Sequence, residues 1–227
     1  MSERAQDEAV AEWPASMQRV AALVEGLDDG QLERRVPACP DWTGRDLLSH
    51  VVGLGADVLA GDEPDDHHES WTQAQVERRR DRSVSELLTE WRGLADDLVA
   101  WMREHGSRPL NDVVIHEQDL RGSLGRPGGA DTRAFAIVRD RMAGRFASAV
   151  EGLPPVALVA PGWAWCSSGP VEEADVVLRA SDFDLARALM SRRTASQLAG
   201  WVERGDVSAY YAAFAGLGDL PDSPLPE

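Results

Sequence analysis

Three side chains stand out for the chemistry they could do together: His50, Asp112 and His116. Asp112 and His116 are about one helical turn apart, so on a helix both project from the same face. His50 has to reach them from a second helix. Two imidazoles and a carboxylate form a three-ligand set, and a divalent ion such as zinc held by it keeps one position open for water, a thiol or a substrate. Each residue also has a plain reading. A histidine on an apolar helix face is commonly a hydrogen-bonded core residue, and an acid in a first turn is favoured by the helix dipole.

The elements that must position these residues are written in the hydrophobic spacing. Val10, Trp13, Met17, Val20, Val24 and Leu27 step by three and four and predict a first helix, stopped by Asp28, Asp29 and Gly30. A Pro-bounded stretch, Val36 to Trp42, reads as a loop. Thr43 with Asp46 then forms a capping-box variant that opens a second helix, lined by Leu47, Leu48, Val51, Val52, Val58 and Leu59, with His50 among them. Residues 61–82 are polar and charge-dense and read as a loop leading into the exposed start of another element. Ser83 with Glu86 repeats the capping box ahead of Leu87, Trp91, Leu94, Leu98 and Trp101, the third long helix. A fourth runs from about 110 to 124 and closes on Gly125 with Pro127 beyond.

Phe135, Val138, Met142 and Phe146 predict one more amphipathic helix. Past Gly152 the texture changes to short β-favouring runs at 156–159 and 174–178, then helical stretches at about 182–190 and 195–215 and a Pro-rich tail. The expected architecture is mainly α: an up-down four-helix bundle over 1–152, followed by a small α+β domain over 153–227.

Composition narrows the function. A formal charge of −16 repels phosphate backbones and anionic lipid surfaces, which disfavours nucleic acid and membrane as partners. All 23 basic residues are arginine, a pattern of GC-rich genomes. The two cysteines, Cys39 and Cys166, form no ligand-like spacing, the N-terminus is charged from the start, and no apolar run approaches the roughly 20 residues that span a bilayer. A reduced, soluble cytoplasmic protein is expected, as a monomer or homodimer.

The words around the three residues carry a resemblance. VPACPDWTGRDLLSHVVG around His50 and DVVIHEQDLRGSLG around His116 resemble the two metal-site motifs of the mycothiol-dependent maleylpyruvate isomerase family, a branch of the DinB-like four-helix bundles. In that family a run of the form C-P-x-W-T-x-R-D-L-L-x-H delivers the first histidine. A second helix then supplies an acid, three intervening residues, and a histidine followed shortly by Asp-Leu. The matching positions are His50, Asp112 and His116, with Asp119 and Leu120 completing the second motif. The stretch from Phe183 to Gly218 looks like the family's small C-terminal domain. Two positions depart from the pattern. Asp112 stands where the best-known members use glutamate, and Ser191 stands where a glycine precedes the family's arginine, here Arg192.

The resemblance implies a metal-dependent enzyme. His50, Asp112 and His116 would hold a divalent ion, zinc first among the candidates, and the open position would take mycothiol as thiol cosubstrate. The bound sulfur would act as nucleophile on a small, electrophilic, anionic substrate, in isomerisation or in S-transfer. Arg192 would hold a carboxylate of substrate or thiol through its planar two-point fork, as a catalytic and thiol-binding residue; its plain reading is a surface arginine near a helix junction. The same ion could instead activate water for hydrolysis, and a non-catalytic bundle that binds metal or a small molecule is the third reading. Asp119 is placed to accept a hydrogen bond from a ligand's second ring nitrogen, or else to pair with Arg121 or Arg45. Trp42 reads as packing, the Asp65–Glu69 cluster as solvated charge, Cys39 as a small buried residue or a substrate-facing thiol, and Cys166 as structural.

Overall fold

The computed structural model describes residues 3–64 and 68–227. The chain divides into two compact units, residues 1–135 with 226–227, and residues 136–225.

The first unit is built on four long helices: α1 (Glu3–Val24), α3 (Gly44–Ala60), α5 (Val84–His105) and α6 (Pro109–Leu124). Between them lie a short α2 (Asp29–Leu32) and α4 (Glu69–Glu77). α1 packs against α5 and α6, and α3 packs against the same two, which closes the four-helix bundle. The apolar stripes supply the core: Trp13, Val20 and Val24 of α1, Leu47, Leu48 and Val52 of α3, Leu87, Trp91 and Leu98 of α5, and Leu110, Val113 and Leu120 of α6 are all buried. Trp13 and Trp91 meet edge to face with centroids 6.3 Å apart.

Local signals set where these helices begin and end. Thr43 Oγ1 accepts the Asp46 N–H at 3.1 Å while Asp46 Oδ2 accepts the Thr43 N–H at 2.8 Å, so two end donors of α3 are satisfied reciprocally. Ser83 and Glu86 do the same for α5. Pro109 opens α6, where its missing N–H costs nothing, and Gly125 closes it in the left-handed conformation, φ 61°.

Two readings of this unit change. The stretch Val36–Trp42 is not a plain loop: β1 (Arg35–Val36) and β2 (Cys39–Thr43) pair antiparallel. The prolines argue for an irregular segment, but Pro37 falls in the turn between the strands and Pro40 in the stretch of β2 opposite the register shift, so the ribbon tolerates both. Within 61–82, α4 packs along α3. Its buried residues are Trp71, Gln75 and Val76, and Arg79 just past its end is buried too, so the helical spacing is there but polar residues share the face.

The second unit begins within α7 (Arg133–Ala149). Its sheet runs in the order β4-β3-β5-β6, with β3 (Val156–Val159), β4 (Ala164–Cys166), β5 (Val176–Arg179) and β6 (Val202–Arg204). β3 and β5 are parallel, and the outer pairings are antiparallel. Phe146 of α7 packs with its ring tilted against Phe214, 4.4 Å between centroids, and edge to face with Trp165 at 5.8 Å. The helix α8 (Asp182–Leu189) falls where the spacing put it. The stretch 195–215 does not form one helix: α9 (Ala195–Gly200) stops, β6 joins the sheet, and a short α10 (Tyr211–Phe214) follows. Gly205 explains the break, because its φ is +82° and a Cβ there would lie 2.5 Å from the Asp175 carbonyl oxygen. The result is mainly α, with a four-helix bundle and a small α+β unit.

Candidate metal centre

His50 lies in the middle of α3, 3% exposed, and Asp112 and His116 lie one turn apart on α6. The packing of α3 on α6 brings the three together. Each offers one ligand atom, and these atoms all lie within 4.8 Å of one another. His50 Nε2 is 4.0 Å from Asp112 Oδ1. Ligands bound tetrahedrally at 2.0–2.2 Å are about 3.3 Å apart, against the 4.0 Å between His50 and Asp112.

Both imidazoles are oriented from behind. His50 Nδ1 is 2.7 Å from Gln75 Oε1, which makes that nitrogen the N–H and Nε2 the atom that could serve as a ligand. Gln75 is fully buried, and its amide nitrogen donates to Asp57 Oδ2 at 2.9 Å. Arg78 Nη2 in turn reaches both Asp57 oxygens, at 2.6 and 2.5 Å. The relay needs α4 close to α3, and Gly53 permits it: a Cβ there would come within 2.6 Å of Gln75 Cβ. Arg79, which extends the same buried face, donates to Glu90 of α5 at 2.6 Å and holds α4 in place.

His116 is oriented by Asp119, whose Oδ2 is 3.0 Å from Nδ1. Asp119 is 2% exposed, so it is not a surface acid; Arg121 pairs with Glu117, and Arg45 with Glu33. Cys39 of β2 approaches the same carboxylate, Sγ to Oδ2 3.8 Å. Burial pulls the His116 pKa down, but hydrogen bonds to Asp119 and Cys39 outweigh it and raise the value from 6.5 to about 9.

Trp42 is more than packing. Its ring lies 4.9 Å from that of His50, and its indole N–H donates to Gln73 Oε1 at 3.0 Å, so it forms part of the wall around the first histidine. Gln75, Asp57, Arg78 and Cys39 were not read from the sequence as parts of this cluster. For Gln75 the one available signal was the spacing of Trp71, Gln75 and Arg79, and polar residues made it look like an exposed face.

Arg192 belongs to the second unit, in the turn between α8 and α9. It is 8% exposed, not a surface residue, and its Nη1 donates to the Met190 carbonyl at 3.0 Å. Ser191 before it has φ 59°, the left-handed region that explains a glycine in the family pattern. Here the hydroxyl is used: Ser191 Oγ donates to Phe214 O at 2.7 Å and accepts the Leu217 N–H at 2.9 Å. Of the acidic cluster, residues 65–67 lie outside the described residues, while His68 caps α4, its Nδ1 accepting the Trp71 N–H at 3.2 Å.

A four-helix bundle that gathers two histidines and a carboxylate, in a chain with a small α+β unit, defines a mainly α protein with a candidate metal centre inside its bundle. Residues 13–121, which contain all three candidate ligands, match the model of the mycothiol maleylpyruvate isomerase N-terminal domain. Two solved structures are similar. The crystal structure of the mycothiol-dependent maleylpyruvate isomerase has a TM-score of 0.51 at 12% identity, covering 98% of this chain and 96% of the other. A mutant of that enzyme with a histidine changed to alanine has a TM-score of 0.51 at 11% identity, covering 81% of this chain and 88% of the other. At such identities the likeness concerns the fold. No curated protein matches the chain.

Proposed function

We propose that the chain is a mycothiol-dependent enzyme of the cytoplasm whose divalent ion, zinc first, is held by His50, Asp112 and His116. The observation that carries this reading is the convergence of the three donor atoms within 4.8 Å, with each imidazole anchored at Nδ1 by its own acceptor. When bound, the ion supplies the acidity that keeps a thiol as thiolate at neutral pH, so no protein cysteine is needed as nucleophile.

The residues of the chain do the rest. Gln75 keeps the proton on His50 Nδ1, and Asp119 does the same for His116, so both rings present Nε2. The oxygens of Asp112 add the negative charge that favours a divalent cation over a proton. Trp42 covers His50 and limits water on that side. Arg192, carried by the second unit, is assigned the role of holding an anionic group of substrate or thiol, as its planar two-point fork allows. The reaction class is thiol addition to an activated double bond followed by departure, which isomerises it, or transfer in which the sulfur stays attached.

The test has two stages. Elemental analysis of reconstituted protein should give one divalent ion per chain, lost in His50→Ala and in His116→Ala. The loaded protein is then incubated with mycothiol and a panel of small electrophilic acids, and products are read by mass spectrometry. Thiol-dependent conversion supports the proposal, and Arg192→Ala should raise the Michaelis constant for anionic substrates. Turnover without thiol favours hydrolysis, and a wild type that takes up no ion removes the centre altogether.

A further inference from the structure

His116 has a second face, and a different donor set surrounds it. Its Nδ1 lies 3.0 Å from Asp119 Oδ2, and Cys39 Sγ lies 3.8 Å from the same oxygen. The three donor atoms are all within 4.8 Å of one another. The set is assembled by packing: His116 and Asp119 are neighbouring turns of α6, and the β1–β2 ribbon that carries Cys39 lies against that helix.

We propose that Cys39, His116 and Asp119 form a second cation position, selective for thiophilic ions such as cadmium, zinc or cuprous copper. A tetrahedral ion with bonds of about 2.0–2.1 Å to nitrogen and oxygen and about 2.3 Å to sulfur separates N from O by about 3.3 Å and S from O by about 3.5 Å. The distances of 3.0 and 3.8 Å are each close to those values. The fit is tighter than at the first set, where His50 and Asp112 are 4.0 Å apart. A thiolate selects soft cations over magnesium, calcium and manganese. Ion entry takes one proton from Cys39 and one from His116 Nδ1, both released to solvent. The two sets share only the His116 ring, whose Nδ1 faces Asp119, and the metal-free protein offers the second position without any ion at the first.

The experiment uses reduced, metal-free, full-length protein titrated with cadmium in a thiol-free buffer. The expected result is an ultraviolet thiolate-to-cadmium charge-transfer band that saturates at one ion per chain. The band should persist in Cys166→Ser and in His50→Ala, vanish in Cys39→Ser, and require about tenfold more cadmium in Asp119→Asn. In the wild type, cadmium should slow alkylation of Cys39 by iodoacetamide about tenfold, as any thiolate held by a metal is withdrawn from reaction. This second measurement needs no variant. The proposal is overturned by the absence of a band, by a band that depends on Cys166, by its loss in His50→Ala, or by a Cys39 alkylation rate that cadmium leaves unchanged. Failure of the first centre is read separately, as retained cadmium–thiolate absorption in a protein that shows no thiol-dependent turnover.

Discussion

Replacing Gln75 with methionine isolates the relay behind His50. The side chain keeps its length and its place in the buried face of α4, but it cannot accept the His50 Nδ1–H, now at 2.7 Å, or donate to Asp57 at 2.9 Å. Asp57 retains Arg78, so the uncompensated loss falls on His50, which is 3% exposed and has little water to replace the acceptor. An unsatisfied buried donor costs about 1–3 kcal/mol, and that cost has two ways to appear. In the metal-free protein the ring can rotate or move its proton to Nε2, where it blocks the ligand atom. Restoring the correct tautomer then draws on binding energy, and removal of such an outer partner lowers metal affinity by about 10- to 100-fold, or 1.4–2.7 kcal/mol. The assay is chelator competition on wild type, Gln75→Met and the exposed control Glu69→Gln, with circular dichroism to show that helix content is kept. An affinity within about threefold of wild type, in a folded Gln75→Met protein, would refute the argument that Gln75 positions His50.

The pKa of His116 ties the stability of the metal-free protein to pH. Because its folded value of about 9 lies above the ordinary 6.5, the interaction with Asp119 and Cys39 stabilises fully below about pH 6.5 and is lost as pH rises through 9. Urea unfolding of the metal-free form should lose on the order of 3 kcal/mol across that window, His116→Ala should flatten the slope, and metal affinity should rise with pH over the same range. Gly53→Ala sets a Cβ 2.6 Å from Gln75 Cβ and 2.8 Å from Arg79 Nη1. It should push α4 off α3, cost about 1–3 kcal/mol in denaturant unfolding and weaken metal binding as Gln75→Met does; normal stability and affinity would contradict the close approach. Ser191→Gly relieves a left-handed residue, worth about 1–2 kcal/mol, but leaves Phe214 O and Leu217 N without their hydroxyl partner. The expected order of melting temperatures is wild type, then Ser191→Gly, then Ser191→Ala, which keeps the strain and loses the bonds; a glycine variant more stable than wild type would reverse the balance.

What could be read along the chain is what neighbouring residues decide among themselves. The capping boxes at Thr43 and Ser83, the left-handed Gly125 and the apolar stripes of α1, α3, α5 and α6 act within a turn or two, and each appears where its spacing put it. The Asp112–His116 pair was legible for the same reason, since a four-residue step on a helix defines a face. The segment 195–215 misled because a sheet edge was waiting for Val202–Arg204, and pairing with β5 outweighed helical spacing interrupted by Gly200 and Gly205. Gln75 looked exposed because polarity normally reports solvent, and only the approach of α4 to Gly53 supplies the buried partners that satisfy it. The sequence by itself determined the helices, their ends and the residue types able to bind a cation. Tertiary structure decided which nitrogen each histidine presents and which side chains stand behind it. Those choices rest on contacts such as His50 with Gln75 and Cys39 with Asp119, 25 and 80 residues apart, and no local pattern encodes a distance across packed elements.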